Sequence, residues 1–232
     1  MPPLLILIFH TKPGIAIGTD LVYASITKLA ASLQHIKQMT VDFKAFWVLC
    51  IGSVPGAVAG TLLISYLEHH LNVRLESQVI DHMLGITYVF AIFAMIWMAI
   101  QQIRLRSASH GLPLQLPVLK MVCLGLLGGH IVGLTSVGSG SIYVAILGLI
   151  YPLAGAQLVG TDILQGMVVT GVAGLVHMAV GNVDLHMVAS LLIGSIPGIL
   201  IGSRIVPKLP DRAVRAGIVL MLAWSSWTMF GQ

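Results

Sequence analysis

Charge is what this chain has least of. Twelve Lys and Arg and eight Asp and Glu make up 9% of its 232 residues, against about 25% in a typical soluble domain. That deficit excludes an ordinary water-soluble fold. The formal charge of +4 is scattered through apolar sequence. It is therefore read as a topology signal rather than as a nucleic-acid footprint. Cysteine is nearly absent: Cys50 and Cys123 both lie in apolar runs. A disulfide framework is not expected, and both read as small free hydrophobes. No CxxC or H-x3-H pair is present, and His69 and His70 are adjacent, a poor geometry for one shared metal. HExxH and GxSxG are missing too, so neither an enzyme, a metal nor a cofactor is expected. Pro2–Phe9 is apolar but short and has no basic stretch before it, so it does not read as a signal peptide.

Apolar length is what the chain has instead, with 57% hydrophobic residues. Spanning segments are expected over about 14–36, 45–66, 83–103, 156–179, 186–206 and 213–230, with a longer stretch at 118–152 broken by Gly and Ser at 133–141. The runs are continuously apolar rather than alternating, which favours helices over a transmembrane β-barrel. The expected fold is an all-α polytopic membrane protein embedded in a lipid bilayer.

The chain also contains its own pattern twice. Gly18-Thr19-Asp20, His35, Val41-Asp42 and the IGSVPG run from Ile51 to Gly56 recur as Gly160-Thr161-Asp162, His177, Val183-Asp184 and the IGSIPG run from Ile193 to Gly198, each 142 positions later. A duplicated apolar unit with polar residues kept in register is the sequence sign of a transporter made of two related halves. The halves are read as residues 1–103 and 118–232, joined by a cytoplasmic linker at 104–117. If 118–152 enters and returns on one side, nine Lys and Arg from Lys37 to Arg215 share a face and only Arg74 lies opposite. The positive-inside rule prefers that arrangement, which makes the repeats inverted.

Several residues are able to carry chemistry. Thr19, Asp20, Thr161 and Asp162 lie early in apolar helices, where they either cap backbone N–H groups or form a substrate or proton site. His35 with Asp42, and His177 with Asp184, are each seven residues apart across a turn. They read as loop structure or as a proton relay. The GSVPG and GSIPG runs read as packing and kink positions, or as backbone opened to a substrate. Ser136, Gly138, Ser139, Gly140 and Ser141 interrupt a spanning stretch and offer hydroxyls and close backbone N–H groups to an anion. Lys28 has no charged counterpart, since the repeat places Thr170 there. It either snorkels, pairs with Asp20 or binds an anion.

Taken in order, GLTSVGSGS (133–141), LVGTDILQG (158–166), HMAVGNVD (177–184) and IGSIPG resemble the C-terminal half of the TauE/SafE permeases. GIAIGTDLVYASITK (14–28), QHIKQMTVD (34–42) and IGSVPG resemble the N-terminal half. The resemblance implies a multi-pass plasma-membrane permease of duplicated origin. Its substrate would be a small anion such as sulfite, a sulfonate or a related sulfur compound, with proton coupling as an option and a homo-oligomer left open. Met1 maps to Tyr143 under the repeat offset. The first helix and Gly-rich run of the N-terminal half are therefore expected to fall before Met1, which reads as a repeat truncated at its start. A non-transporting membrane paralogue or subunit is the alternative function.

Overall fold

A computed structural model describes residues 2–70, 117–136 and 155–205, with 86, 89, 93 and 143. Among these residues the chain is helical, without strands. The helices are α1 (Pro2–Phe9), α2 (Pro13–Lys37), α3 (Phe43–His70), α4 (Val118–Thr135), α5 (Gly155–Ala179) and α6 (Leu185–Ile205). Four of the expected segments coincide with α2, α3, α5 and α6 to within a few residues. The long stretch gives α4, which stops at the Gly/Ser run as its composition predicts. The segments at 83–103 and 213–230, and the linker at 104–117, lie outside the described residues apart from 86, 89, 93 and 117.

Local chemistry sets the helix limits. Pro13 starts α2, where its missing N–H costs nothing. Asp42 caps α3, its Oδ1 accepting from the N–H groups of Lys44 at 2.9 Å and Ala45 at 3.0 Å. Asp184 caps α6 in the same way, accepting from Met187 at 2.9 Å. Ser136 ends α4 in the left-handed conformation, at φ 58. Among the described residues, three spans, Phe43–Leu67, Val118–Thr135 and Ala156–Ala179, are long and apolar enough to cross a bilayer.

Burial is inverted relative to a soluble protein. Trp47, Ile51, Leu127, Leu175 and Ile193 are all more than 60% exposed. Thr19, Ser53, Thr161, Gln165, Thr170 and His177 are fully buried. Lipid is as apolar as leucine, so the outward face needs only hydrocarbon, and polar side chains collect inside, beside an apolar core.

Two packing modes build the bundle. α3 and α4 run side by side in the same direction along a glycine seam. A Cβ on Gly52, Gly56 or Gly60 would strike the carbonyl of Val122, Leu126 or His130. In return, a Cβ on Gly125, Gly129 or Gly133 would strike the carbonyl of Leu49, Ser53 or Ala57. Both helices thus present a small residue every fourth position, which lets their backbones touch. The GSVPG run belongs to this seam: α3 continues unbroken through it, and Pro55 is inside the helix but points outward. α6 likewise runs unbroken through GSIPG. Neither run opens its helix.

α2 and α5 make the second mode, and they are antiparallel. A Cβ on Gly18 would meet the Asn182 carbonyl, just past the end of α5, and one on Gly160 would meet the Thr40 carbonyl, just past the end of α2. Residues 40 and 182 are repeat counterparts, as are 18 and 160. At the crossing, Ser25 Oγ donates to the Met167 carbonyl at 3.4 Å, and these positions are counterparts as well. The contacts therefore obey a local two-fold relation across the α2–α5 pair.

The turn after each of these helices repeats the relation. Thr40 N–H donates to the His35 carbonyl and Asn182 N–H to the His177 carbonyl, closing matching C-terminal caps. Between them, Gly181 sits at φ 83 while its counterpart Met39 is forced to φ 53. A side chain in this region costs about 1–2 kcal/mol. Met39→Gly is therefore expected to stabilise the protein by about 1 kcal/mol, raising Tm by roughly 2–4 °C. Gly181→Ala should lower Tm by a similar amount. Thermal unfolding in detergent measures both, and equal effects at the two positions would contradict the strain.

Candidate functional site

The duplicated GTD triplets lie inside their helices, not at their starts. α2 begins at Pro13 and α5 at Gly155, each six residues before the threonine. Neither Thr19 nor Thr161 therefore caps its own helix, as the sequence reading allowed. Each caps the other half instead. Thr19 Oγ1 accepts from the Asp184 N–H at 3.0 Å, and Thr161 Oγ1 accepts from the Asp42 N–H at 2.9 Å. Six residues of helix rise roughly 9 Å, so each loop reaches inward along the opposite helix to meet its threonine. Gly18 and Gly160 provide the space for that approach.

The two aspartates of these triplets are buried but differ in their partners. Asp20 is 6% exposed, and its Oδ2 accepts from Ser136 Oγ at 2.7 Å. Ser136 can reach it because the left-handed turn at the end of α4 aims the hydroxyl inward. Asp162 is 3% exposed, and its Oδ1 has no hydrogen-bond partner among the described residues. Lys28, two turns after Asp20 on α2, lies within electrostatic reach of Asp162 and of Asp20. One cation from one half thus serves a carboxylate from each half. Thr170, its counterpart, instead satisfies itself on the Gly166 carbonyl at 2.8 Å.

The four His–Asp positions serve different ends. Asp42 and Asp184 are helix caps. His35 Nδ1 lies 2.9 Å from Thr40 Oγ1, beside the turn it stabilises. His177 is fully buried, with Nε2 3.4 Å from the Gly133 carbonyl and Nδ1 unpartnered among the described residues. The His177–Asp184 pair is not made: the ring faces α4 while the carboxylate caps α6. Gly138, Ser139, Gly140 and Ser141 lie outside the described residues. No group of three or more His, Cys, Asp or Glu that could hold a metal occurs among the described residues.

Three polar residues that the sequence reading passed over join the interior. Gln165 and Ser53 are fully buried, and the Gln165 Nε2, Gln165 Oε1 and Ser53 Oγ atoms have no hydrogen-bond partner among the described residues. Both side chains lie at the Tyr143 hydroxyl, which donates to the Gly125 carbonyl at 3.1 Å and leaves its oxygen as the acceptor beside them. Gln165 follows Asp162 by three residues, on the same face of α5. That spacing in an apolar helix was the available sign.

Comparisons with known proteins bear on this interior. A family model described as sulfite exporter TauE/SafE matches residues 1–229. The chain is 36% identical over 226 residues to the probable membrane transporter protein YjnA of Bacillus subtilis, covering 95% of this chain and 87% of that protein. It is 23% identical over 221 residues to the probable membrane transporter protein YdhB of the same organism, covering 94% and 84%. No solved structure matches the chain.

Proposed function

Because the chain belongs to the sulfite exporter TauE/SafE family of membrane transporters, we propose that it is a secondary permease of the plasma membrane for a small anion, with sulfite or a sulfonate as the leading substrates. One observation carries the reading. Asp20 and Asp162, one from each half, are buried inside a bundle whose outer surface is apolar, and the partly buried Lys28 lies within electrostatic reach of both. Ionisable groups in a membrane interior are expensive and mark substrate or proton pathways.

The two halves are inverted in this proposal. The antiparallel pair α2–α5 supports it, because the two-fold relation between the helices then lies across the membrane. The 38–42 loop, flanked by Lys37 and Lys44, would face the cytoplasm. The 180–184 loop, free of Lys and Arg, would face outward. Alternating access comes from rocking one half against the other, a motion that must strain or break the Thr19–Asp184 and Thr161–Asp42 contacts that bridge them.

Charge counting gives the coupling. Two carboxylates and one ammonium leave an excess negative charge where an anion must pass. An anion is accommodated when one carboxylate takes a proton, and Asp162, with an unmet oxygen, is the proposed carrier. Co-movement of a proton with the anion follows.

The test is sulfite release from a host lacking its own exporter, at matched membrane abundance. Protection and faster release are expected. No release of sulfite and no uptake of sulfonates would remove the reading.

A further inference from the structure

The interior holds a group of hydrogen-bonding atoms that the fold leaves unused. Gln165 carries two N–H donors and an acceptor oxygen, all buried and unmet among the described residues. Ser53 adds a buried, unmet hydroxyl from α3. Asp162 Oδ1 is unmet as well, one turn before Gln165. Tyr143 stands between Gln165 and Ser53; its proton goes to the Gly125 carbonyl, and its oxygen is an acceptor beside both side chains. A buried polar group without a partner costs about 1–3 kcal/mol. Several of them gather in one place, drawn from α3 and α5.

Repeat symmetry does not generate this site, so it is single. The counterpart of Gln165 is Tyr23, and the counterpart of Ser53 is Ser195, whose hydroxyl is satisfied on the Leu192 carbonyl at 3.2 Å. Asp20, the counterpart of Asp162, already holds Ser136. Among the described residues, the unmet side-chain atoms of these counterpart positions lie on the α3–α5 side.

The atoms also define what fits. The Gln165 amide and the Ser53 hydroxyl donate, which suits the oxygens of an oxyanion. Their neutrality allows release, which a transporter needs. Asp162 Oδ1 and Gln165 Oε1 only accept or must themselves be met by a donor. We propose that Gln165, Ser53 and Asp162 seat a small oxyanion that carries a donor hydrogen of its own. The amide and hydroxyl would hold its oxygens, and Asp162 or the Gln165 carbonyl would accept its hydrogen. This assignment rests on the anion-permease reading above and adds its selectivity.

Two probes share a sulfur–oxygen head and differ in the donor: sulfite at a pH where it is singly protonated, and methanesulfonate, which has none. Binding to the purified full chain is measured by calorimetry, alongside Tm. The unaltered protein should bind the protonated sulfite at least tenfold more tightly than methanesulfonate. Gln165→Met and Ser53→Ala should each weaken sulfite at least tenfold while Tm stays level or rises, since each removes an unmet polar group. Unchanged sulfite binding in both variants would overturn the assignment and leave the permease reading intact. A fall in Tm matching the loss of binding in both would make these residues structural and also overturn it. Equal affinity for the two probes would overturn the donor requirement. No binding of either anion by the unaltered protein would remove the sulfur-anion reading together with this site.

Discussion

Asp162→Asn is expected to lower anion transport by about 100-fold or more at unchanged membrane abundance. The substitution keeps the shape of the side chain and removes its ability to take up and release a proton. Asp162 is the carboxylate with an unmet oxygen, and it is 3% exposed. Asparagine keeps the acceptor oxygen and removes only the charge that faces Lys28, so a modest change in Tm is expected beside the large loss of flux. The equivalent change at Asp20 has a different character. Asp20 Oδ2 holds Ser136 at 2.7 Å and thereby anchors the turn that ends α4. Asp20→Asn should lower Tm as well as transport. Flux and thermal unfolding measured together separate the two. Near-normal flux in the Asp162 variant would remove it from the pathway, whatever its stability.

A second large effect is expected in the α3–α4 seam. Gly129→Ala places a methyl group against the backbone of Ser53, including its carbonyl carbon and Cα. Backbone has no rotamer by which to move aside, so the two helices must separate. Forced overpacking of this kind typically costs 1–3 kcal/mol, occasionally more. Here the separation would also break contact at the neighbouring steps of the seam. Loss of most folded protein from the membrane fraction is the expected outcome. Gly52→Ala meets the Val122 carbonyl and should behave alike. Its repeat counterpart gives the control. A Cβ on Gly194 meets nothing within 4 Å among the described residues. Gly194→Ala should therefore be neutral or mildly stabilising, because alanine favours helix by about 1 kcal/mol over glycine. Equal tolerance at Gly52 and Gly194 would mean that the seam does not hold the bundle together.

Much of this fold was legible because lipid imposes a simple rule. A span must be long, apolar and helical, so the segments at 14–36, 45–66, 156–179 and 186–206 translate almost directly into α2, α3, α5 and α6. The break after Thr135 was equally visible, since Gly and Ser at membrane depth cannot extend an apolar helix without cause. The duplication also pointed to the right residues, the GTD and VD motifs. It did not reveal what they touch. Thr19 meets Asp184 and Thr161 meets Asp42 across the two halves. Spacing within one half cannot report such a swap, so local capping and local His–Asp pairing were the natural expectations. Gln165 escaped for a related reason. It has no polar twin at Tyr23, and attention to the repeat passes over residues that break it. Ser53 was visible in both copies of the GSxPG run. Its role depends on α5 and Tyr143, which lie far away in sequence.

The most direct test of the permease account is flux through the purified chain in sealed vesicles. Sulfite is loaded inside, a pH gradient is imposed, and sulfite release and internal pH are followed together. The account predicts sulfite movement that depends on the protein, is driven by the proton gradient, and is accompanied by proton movement that Asp162→Asn abolishes. Sulfite movement indifferent to the gradient, with internal pH unaffected by the anion, would contradict the coupling. No protein-dependent movement of sulfite or sulfonate in either direction would contradict the transporter itself.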